Sequence, residues 1–263
     1  MSVKIPKGKF IVPLVHSPEN LSEYKQLILE LKMAGITVIG LELPPKWKKK
    51  IKHGDVFFGP LARFAEKNGV RVIGVEGFSQ LLANHVLSEA INFKGLLEWL
   101  EAKRKKPTKS EGQPTSVSFI ENLFDSEKKK VLKKLELLLG LSAKESEVVI
   151  KRIMRLAATK DRASLFRLKQ RARYLRDVHM SSEFQRHGLR VILVGGTHSE
   201  KISKKLGIQE YDYGNIRQNF DNYLNVQYEV GIELERRREM AYLKEKIAFE
   251  RKQLAKIKPK LPK

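Results

Sequence analysis

The chain has 263 residues, no cysteine and a formal net charge of +22, from 52 Lys and Arg residues against 30 Asp and Glu residues. This length accommodates one substantial α/β domain or a smaller domain with appendages, and the lack of cysteine excludes disulfides and fits a reducing compartment. The sequence has no apolar run of about 18 residues and no secretory-type N-terminal segment, so we predict a cytoplasmic protein without a membrane span. The charge is compatible with nucleic acid, anionic lipid or an acidic partner and does not distinguish among them.

Apolar runs alternate with amphipathic segments in the first third of the chain. Strands are predicted for FIVPLVH at 10–16, TVIGLEL at 37–43 and VRVIGVEG at 70–77. The first intervening helix begins at Asn20, which forms a capping box with Glu23, and ends at Gly35, while the second helix lies within 60–69. Strands that alternate with helices in this way predict βαβ units and a parallel sheet.

The sequence after the third strand is mostly of helical pattern, with a break near Gly140. We predict an α/β fold in which a central, mainly parallel sheet is flanked by helices, with a helical insertion and a long C-terminal helix. The predicted regions are an N-terminal α/β half at 1–106, a linker and helical insertion at 107–187, a final strand-helix unit at 188–214 and a basic C-terminal helical tail at 215–263. The tail keeps an apolar stripe, which would pack on the domain or pair with a second copy as a homo-oligomer.

The segment LRVILVGGTHSE, at 189–200, predicts a buried strand that runs into two glycines. Gly195 and Gly196 predict a turn that bends without steric conflict and allows other segments to approach closely. Ser199 then begins the next helix as its N-cap. His198 is therefore expected at the rim of the sheet.

Four predicted strands deliver polar side chains to their carboxyl ends, where open parallel sheets bind ligands. These residues are His16, Glu42, Glu76 and His198. Two imidazoles and two carboxylates are suitable ligands for Mn, Co or Zn, which would activate a bound water for hydrolysis. Each residue also has a structural interpretation, because His16 can begin a loop, Glu42 can pair with a nearby lysine and Glu76 can bind a backbone amide.

Several short motifs resemble the TraB family and, more broadly, the superfamily of Tiki metalloproteases, erythromycin esterase-like proteins and ChaN-like proteins. The motifs are PLVHS at 13–17, LEL at 41–43, LRDVHM at 175–180 and VGGTH at 194–198, with a helix and strand at 59–77 that end at an acid. The resemblance covers the first hundred residues and about 170–207, and it implies a metal-dependent, peptidase-like hydrolase. The chain departs from the family pattern at Pro13, Pro44 and Leu175.

The resemblance also implies roles for individual residues. His16 and His198 would be metal ligands or catalytic imidazoles, and Glu42 a ligand or general base. Arg176 would bind a substrate carboxylate or stabilise an oxyanion, Asp177 would orient one of these groups, and Glu76 would be a further ligand.

Three functions follow from the sequence. The first is a metal-dependent hydrolase of peptides or other small polar substrates. The second is a protein that binds nucleic acid or another polyanion through the basic stretch from Lys151 to Arg176, for which a merely solvated helix face is the plainer interpretation. The third is an inactive member of the fold that serves as an interaction module.

Overall fold

The computed structural model describes residues 5–45, 47, 57–105 and 117–213. The predicted C-terminal helical tail at 215–263 lies outside these residues. The described elements, in chain order, are β1 (Phe10–Leu14), a 3-10 turn (Pro18–Asn20), α1 (Leu21–Met33), β2 (Val38–Leu41), α2 (Phe58–Lys67), β3 (Arg71–Gly74), α3 (Phe78–Lys105), α4 (Val117–Leu139), α5 (Ala143–Thr159), α6 (Arg162–Arg186), β4 (Val191–Gly195), α7 (Gly196–Leu206) and β5 (Gln209–Glu210).

The five described strands form one parallel sheet in the order β3-β2-β4-β1-β5. β4, late in the chain, lies between the two strands that begin it, with Phe10 opposite Val191 and Gly40 opposite Ile192. Every residue of β1 and β4 is buried, as expected for central strands that helices cover on both faces. The predicted α/β fold with a parallel sheet is confirmed.

The first three strands are shorter than predicted at their carboxyl ends. They end at Leu14, Leu41 and Gly74, so the polar residues expected at these ends lie in the loops that follow. At Gly74 a Cβ would lie 2.5 Å from the backbone oxygens of both Leu43 and Pro44. The chain leaving β2 therefore crosses directly over the end of β3.

The first helix begins where predicted but lacks the predicted capping box, and the predicted start of the last helix is wrong. Asn20 has helical backbone angles and makes no capping bond, because the preceding 3-10 turn, capped by Ser17, already provides the start of α1. Ser199 does not begin the last helix either, since α7 starts at Gly196 and the Ser199 hydroxyl donates to Gly196 O within its first turn. The predicted stop at Gly35 is confirmed, and its φ of +76° explains why glycine stands there.

Among the described residues, two clusters of buried apolar side chains fix the position of α6. One joins the sheet to α6 and α7 through residues such as Ile192, Phe184 and Ile202. The other lies among α3, α4 and α5 and includes Leu165 at the start of α6. α6 thus contributes to both cores, which places its central residues against the carboxyl edge of the sheet.

Candidate functional site

Four neighbouring strands direct polar residues to one edge of the sheet. In sheet order, Glu76 follows β3, Glu42 follows β2, His198 follows β4 and His16 follows β1. Glu42, Glu76 and His198 are buried, whereas the side chain of His16 is 39% exposed. The sequence analysis expected these four residues at one rim, and the structure brings all of them there.

Helix α6 adds a buried cation and a buried acid, Arg176 and Asp177. The guanidinium donates from Nε and Nη2 to Glu76 and from Nη2 to Oε1 of Glu42, at 3.0 Å. Charge-assisted bonds of this kind hold both carboxylates in fixed positions. Arg176 therefore positions Glu42 and Glu76, and its predicted contact with a substrate carboxylate or an oxyanion stays a prediction.

Both imidazoles face the Glu42 carboxylate. Nδ1 of His198 is hydrogen-bonded to Oδ1 of Asp177, and its Nε2 lies 3.8 Å from Oε1 of Glu42. Nε2 of His16 lies 3.9 Å from Oε2 of the same carboxylate. His16, Glu42 and His198 therefore converge on one point, with Asp177 behind one imidazole as the sequence analysis expected of an orienting group.

Glycine is required at position 195, at the end of β4, because the side chains of His16 and Glu42 approach its backbone closely. Its φ is −56°, which any residue can adopt, but a Cβ would lie 2.7 Å from Nε2 of His16 and 3.2 Å from Oε2 of Glu42. Its N–H donates to that same Glu42 oxygen at 2.6 Å. The predicted close approach is thus found at Gly195, although no unusual backbone turn accompanies it.

The two buried carboxylates have opposite pKa shifts. Burial raises the pKa of Glu76 to about 8, an effect that Arg176 opposes and the negative charge of Glu42 strengthens. Burial alone would also raise the pKa of Glu42, but His198, His16, Arg176 and the Gly195 amide together lower it below its ordinary value. Two neighbouring carboxyl groups with separated pKa values are typical of acid-base sites.

Sequence reasoning missed three features of the site. The rings of Phe57 and Phe58 lie 5.5 Å and 4.5 Å from the His16 ring, between centroids, and form an apolar wall beside the exposed imidazole. The adjacent pair of phenylalanines was the available signal. Oδ2 of Asp177 is buried and accepts no hydrogen bond from any residue that the structure describes. His85, on α3, is half-buried near Arg176, and its partial burial together with Lys134 and Arg176 lowers its pKa to about 4.

The described side chains do not fit the metal centre that the resemblance implies. Among residues 5–45, 47, 57–105 and 117–213, no group of three or more His, Cys, Asp or Glu side chains is arranged to hold a metal ion. Both oxygens of Glu42 already accept hydrogen bonds, from Arg176 and from the Gly195 amide. No chemical step is therefore assigned to a metal here, and the predicted Mn, Co or Zn ion stays a prediction.

Comparisons with protein families, with curated proteins and with solved structures gave no match to this chain. The resemblance to the TraB family consequently rests on the short motifs alone and stays a prediction. Within the described part of the chain, no helix is long and apolar enough to cross a membrane.

Proposed function

We propose that the chain is a hydrolase in which His198 activates a water molecule at the carboxyl edge of the sheet. The observation that carries this proposal is the arrangement of His198 between two buried acids, with Nδ1 bonded to Asp177 and Nε2 3.8 Å from Glu42. An imidazole held by a carboxylate on one nitrogen presents the other nitrogen as a proton acceptor. Peptides and other small polar molecules are the substrate class proposed for it.

Asp177 is the positioning residue in this proposal. An ionised carboxylate accepts a hydrogen bond from Nδ1–H, and this selects the tautomer in which Nε2 can take a proton from water. The chain has no cysteine, and the hydroxyl of Ser199, next to His198, donates to Gly196 O. Water is therefore the nucleophile that the described residues favour.

Glu42 supplies negative charge on the side of the site where a proton is transferred. Its lowered pKa keeps it ionised near neutral pH, so it can orient water and stabilise the imidazolium that forms on His198. Arg176 and the Gly195 amide hold this carboxylate in place. The exposed His16 marks the side of the site from which a substrate would enter.

The alternative explanation is a structural ion-pair network that fastens α6 to the sheet. Burying ionised groups has a large desolvation cost, and well-packed apolar residues often give equal or greater stability at such positions. A cluster of buried ionisable groups with shifted pKa values at a strand-end rim is instead typical of functional sites. The hydrolase proposal explains why these costly groups are gathered at one place.

The first experiment measures hydrolysis of a panel of peptide and ester substrates by the wild type, His198→Ala and Asp177→Asn. Each substitution should lower kcat/KM by about 100-fold or more. His187→Ala is the matched control, since His187 is a partly exposed imidazole that caps the end of α6 beside Glu183. Full activity in His198→Ala would contradict the proposal, and so would the absence of turnover across the panel.

A second measurement does not depend on the substrate. Two-bond ¹H–¹⁵N correlation spectra should show the Nδ1–H tautomer for His198, and Asp177→Asn should remove this preference because an amide can donate to Nδ1. An unchanged tautomer in Asp177→Asn would show that Asp177 does not orient the imidazole.

Metal dependence is tested separately on the same protein. Activity that survives dialysis against a chelator would exclude the predicted metal and support His198 as the base. Activity that is lost and then restored by Mn, Co or Zn, together with lower metal uptake by a His16→Ala/His198→Ala double variant than by wild type, would support the metal-dependent version.

A further inference from the structure

The outer surface of α6 combines arginines with exposed aromatic rings. We call this surface the basic face and define it by Phe166, Arg167, Arg171 and Tyr174. Phe166 and Tyr174 are 44% and 60% exposed, which is unusual for large rings on a helix that packs on two cores. From 162 to 176 the helix carries six Lys and Arg residues and no acid.

The rings and the arginines of the basic face form two adjacent rows. Phe166 and Tyr174 are eight residues apart, so they are separated by about 12 Å along the helix axis and belong to the same inclined row at four-residue spacing. Arg167 and Arg171, one turn apart, form the neighbouring row. The two rows run along the helix, so a linear anionic ligand can contact an arginine and a ring at each of several successive positions.

Each ring also has a cation beside it. The Arg162 guanidinium lies 6.0 Å from the Phe166 ring, and Nζ of Lys205, on α7, lies 5.9 Å from the Tyr174 ring. These distances are compatible with cation-π attraction. One positive charge therefore lies beside each ring, supplied by α6 for Phe166 and by α7 for Tyr174.

We propose that the basic face binds single-stranded nucleic acid. Phosphates would lie along Arg167 and Arg171, and bases would stack on Phe166 and Tyr174. Single-stranded nucleic acids are held by this combination of a basic track with aromatic platforms, and such binding tolerates different base sequences. This proposal is independent of the hydrolase proposal, because none of the four residues belongs to the site.

Other occupants fit the basic face less well. A second copy of the chain would bring two positive surfaces together, which repel. A lipid surface favours a helix with separate apolar and basic sides, whereas here the two rings lie directly beside Arg167 and Arg171, and the exposed Leu175 continues the row of arginines. An acidic protein would match the charge of the arginines, but it would leave the exposed rings without the stacking partners that nucleic-acid bases provide.

The structure also corrects the extent of the predicted basic stretch. The predicted stretch is divided between α5 and α6, with a break at Asp161. Its last member, Arg176, is buried against Glu42 and Glu76 and is not part of the surface. The sequence analysis overlooked the two rings that lie among its arginines. Beyond Tyr174 the surface approaches the site, where Arg173 Nη2 donates to Thr197 O at 3.1 Å.

The test is fluorescence-anisotropy binding of a labelled oligothymidylate of about 20 nucleotides to the full chain over a series of salt concentrations. Tyr174→Ala should weaken binding by about five-fold or more, while Tyr174→Phe, which keeps the ring, should bind like wild type. Arg167→Ala/Arg171→Ala should lower the slope of log K against log salt by about 1.4 if each arginine contacts one phosphate.

The matched control is Arg63→Ala/Arg71→Ala, which removes two exposed arginines from α2 and β3. The control should weaken binding less than the double variant of the basic face. Equal effects of the two double variants would overturn the proposal, because binding would then follow net charge alone. Equal binding by Tyr174→Ala and wild type would also overturn it. Binding to phosphatidylglycerol vesicles without binding to the oligonucleotide would assign the surface to lipid instead.

Discussion

At the scale of single residues, Arg176 is the side chain on which the site depends. It bonds to two buried carboxylates whose surroundings differ. Glu42 lies near both imidazoles and accepts a hydrogen bond from the Gly195 amide, whereas Glu76 is bonded to the Arg176 guanidinium. The pKa of Glu76 is raised to about 8 by burial, and that of Glu42 is lowered once the surrounding positive groups outweigh burial. One cation thus bonds to two acids whose pKa values are shifted in opposite directions.

The raised pKa of Glu76 predicts a loss of stability as pH rises. The folded protein keeps a proton that the unfolded chain has released, so the free energy of unfolding should fall between the unfolded pKa and about 8. Below pH about 6.5 the lowered pKa of His85 has the opposite effect, which makes pH 6.5–8 the clearest window. There, Glu76→Gln should flatten the fall, which for one proton is at most about 1.4 kcal/mol per pH unit.

Urea unfolding at several pH values between about 6.5 and 8 measures this effect. The control is Glu200→Gln, which removes a carboxylate that is 68% exposed and paired with Lys204. The control should keep the wild-type slope. A wild-type stability that rises with pH through this window would show that Glu76 is ionised in the folded protein.

At the scale of elements, α6 joins the functional parts of the molecule. Its inner side supplies Arg176 and Asp177 to the site, and its outer side carries the basic face. The sequence predicted a helical pattern here but placed no helix start at Asp161, because the charged residues on both sides gave no contrast in composition. The side chain of Asp161 accepts from Ser164 N at 2.8 Å, which ends one helix and begins the next.

Removing this cap should destabilise the start of α6 without changing the site. Asp161→Ala should lower the urea concentration at the midpoint of unfolding, because the backbone N–H of Ser164 loses its partner. Asp161→Asn is the matched control, since asparagine caps helices nearly as well. Urea unfolding measures the difference, and hydrolytic activity should stay unchanged, since Asp177 lies about 24 Å further along the helix. Equal stability of the two variants would mean that the cap contributes nothing.

At the scale of the whole molecule, the sheet order assembles the site. β4, which begins more than a hundred residues after the end of β3, is inserted between β2 and β1. His198 therefore lies beside Glu42, although 156 positions separate the two residues along the chain. Folding of the helical segment is consequently a condition for the site, even though α4 and α5 contribute none of its side chains.

The net charge of +22 predicts a salt dependence of the whole fold. Like charges repel more strongly in the compact state, and added salt screens them over a Debye length that falls from about 30 Å at 0.01 M to about 8 Å at 0.15 M. The free energy of unfolding should therefore rise with NaCl over this range. Urea is the appropriate denaturant, because guanidinium chloride would itself supply the salt. Stability that falls with salt would show that surface ion pairs outweigh the repulsion.

The sequence by itself determined the fold class and the identity of the polar rim. Apolar strands that alternate with amphipathic helices can bury their apolar surface only as a parallel sheet covered by helices, and the residues that follow such strands must lie at one edge. His16, Glu42, Glu76 and His198 could therefore be named in advance. Strand ends and helix starts could not, because Asn20 and Ser199 have the right side chains for caps and other parts of the chain decide whether those caps form.

Only the tertiary structure decided what the rim residues do to one another. Sequence gives the type of each side chain, whereas protonation depends on distance and burial, and these are set by neighbours from other strands and from α6. The bonds from Arg176 to two buried acids were not foreseen, nor was the identity of the group that requires glycine at position 195, where the His16 ring lies too close for a Cβ. Such contacts arise from packing between segments more than a hundred residues apart, which no local pattern records.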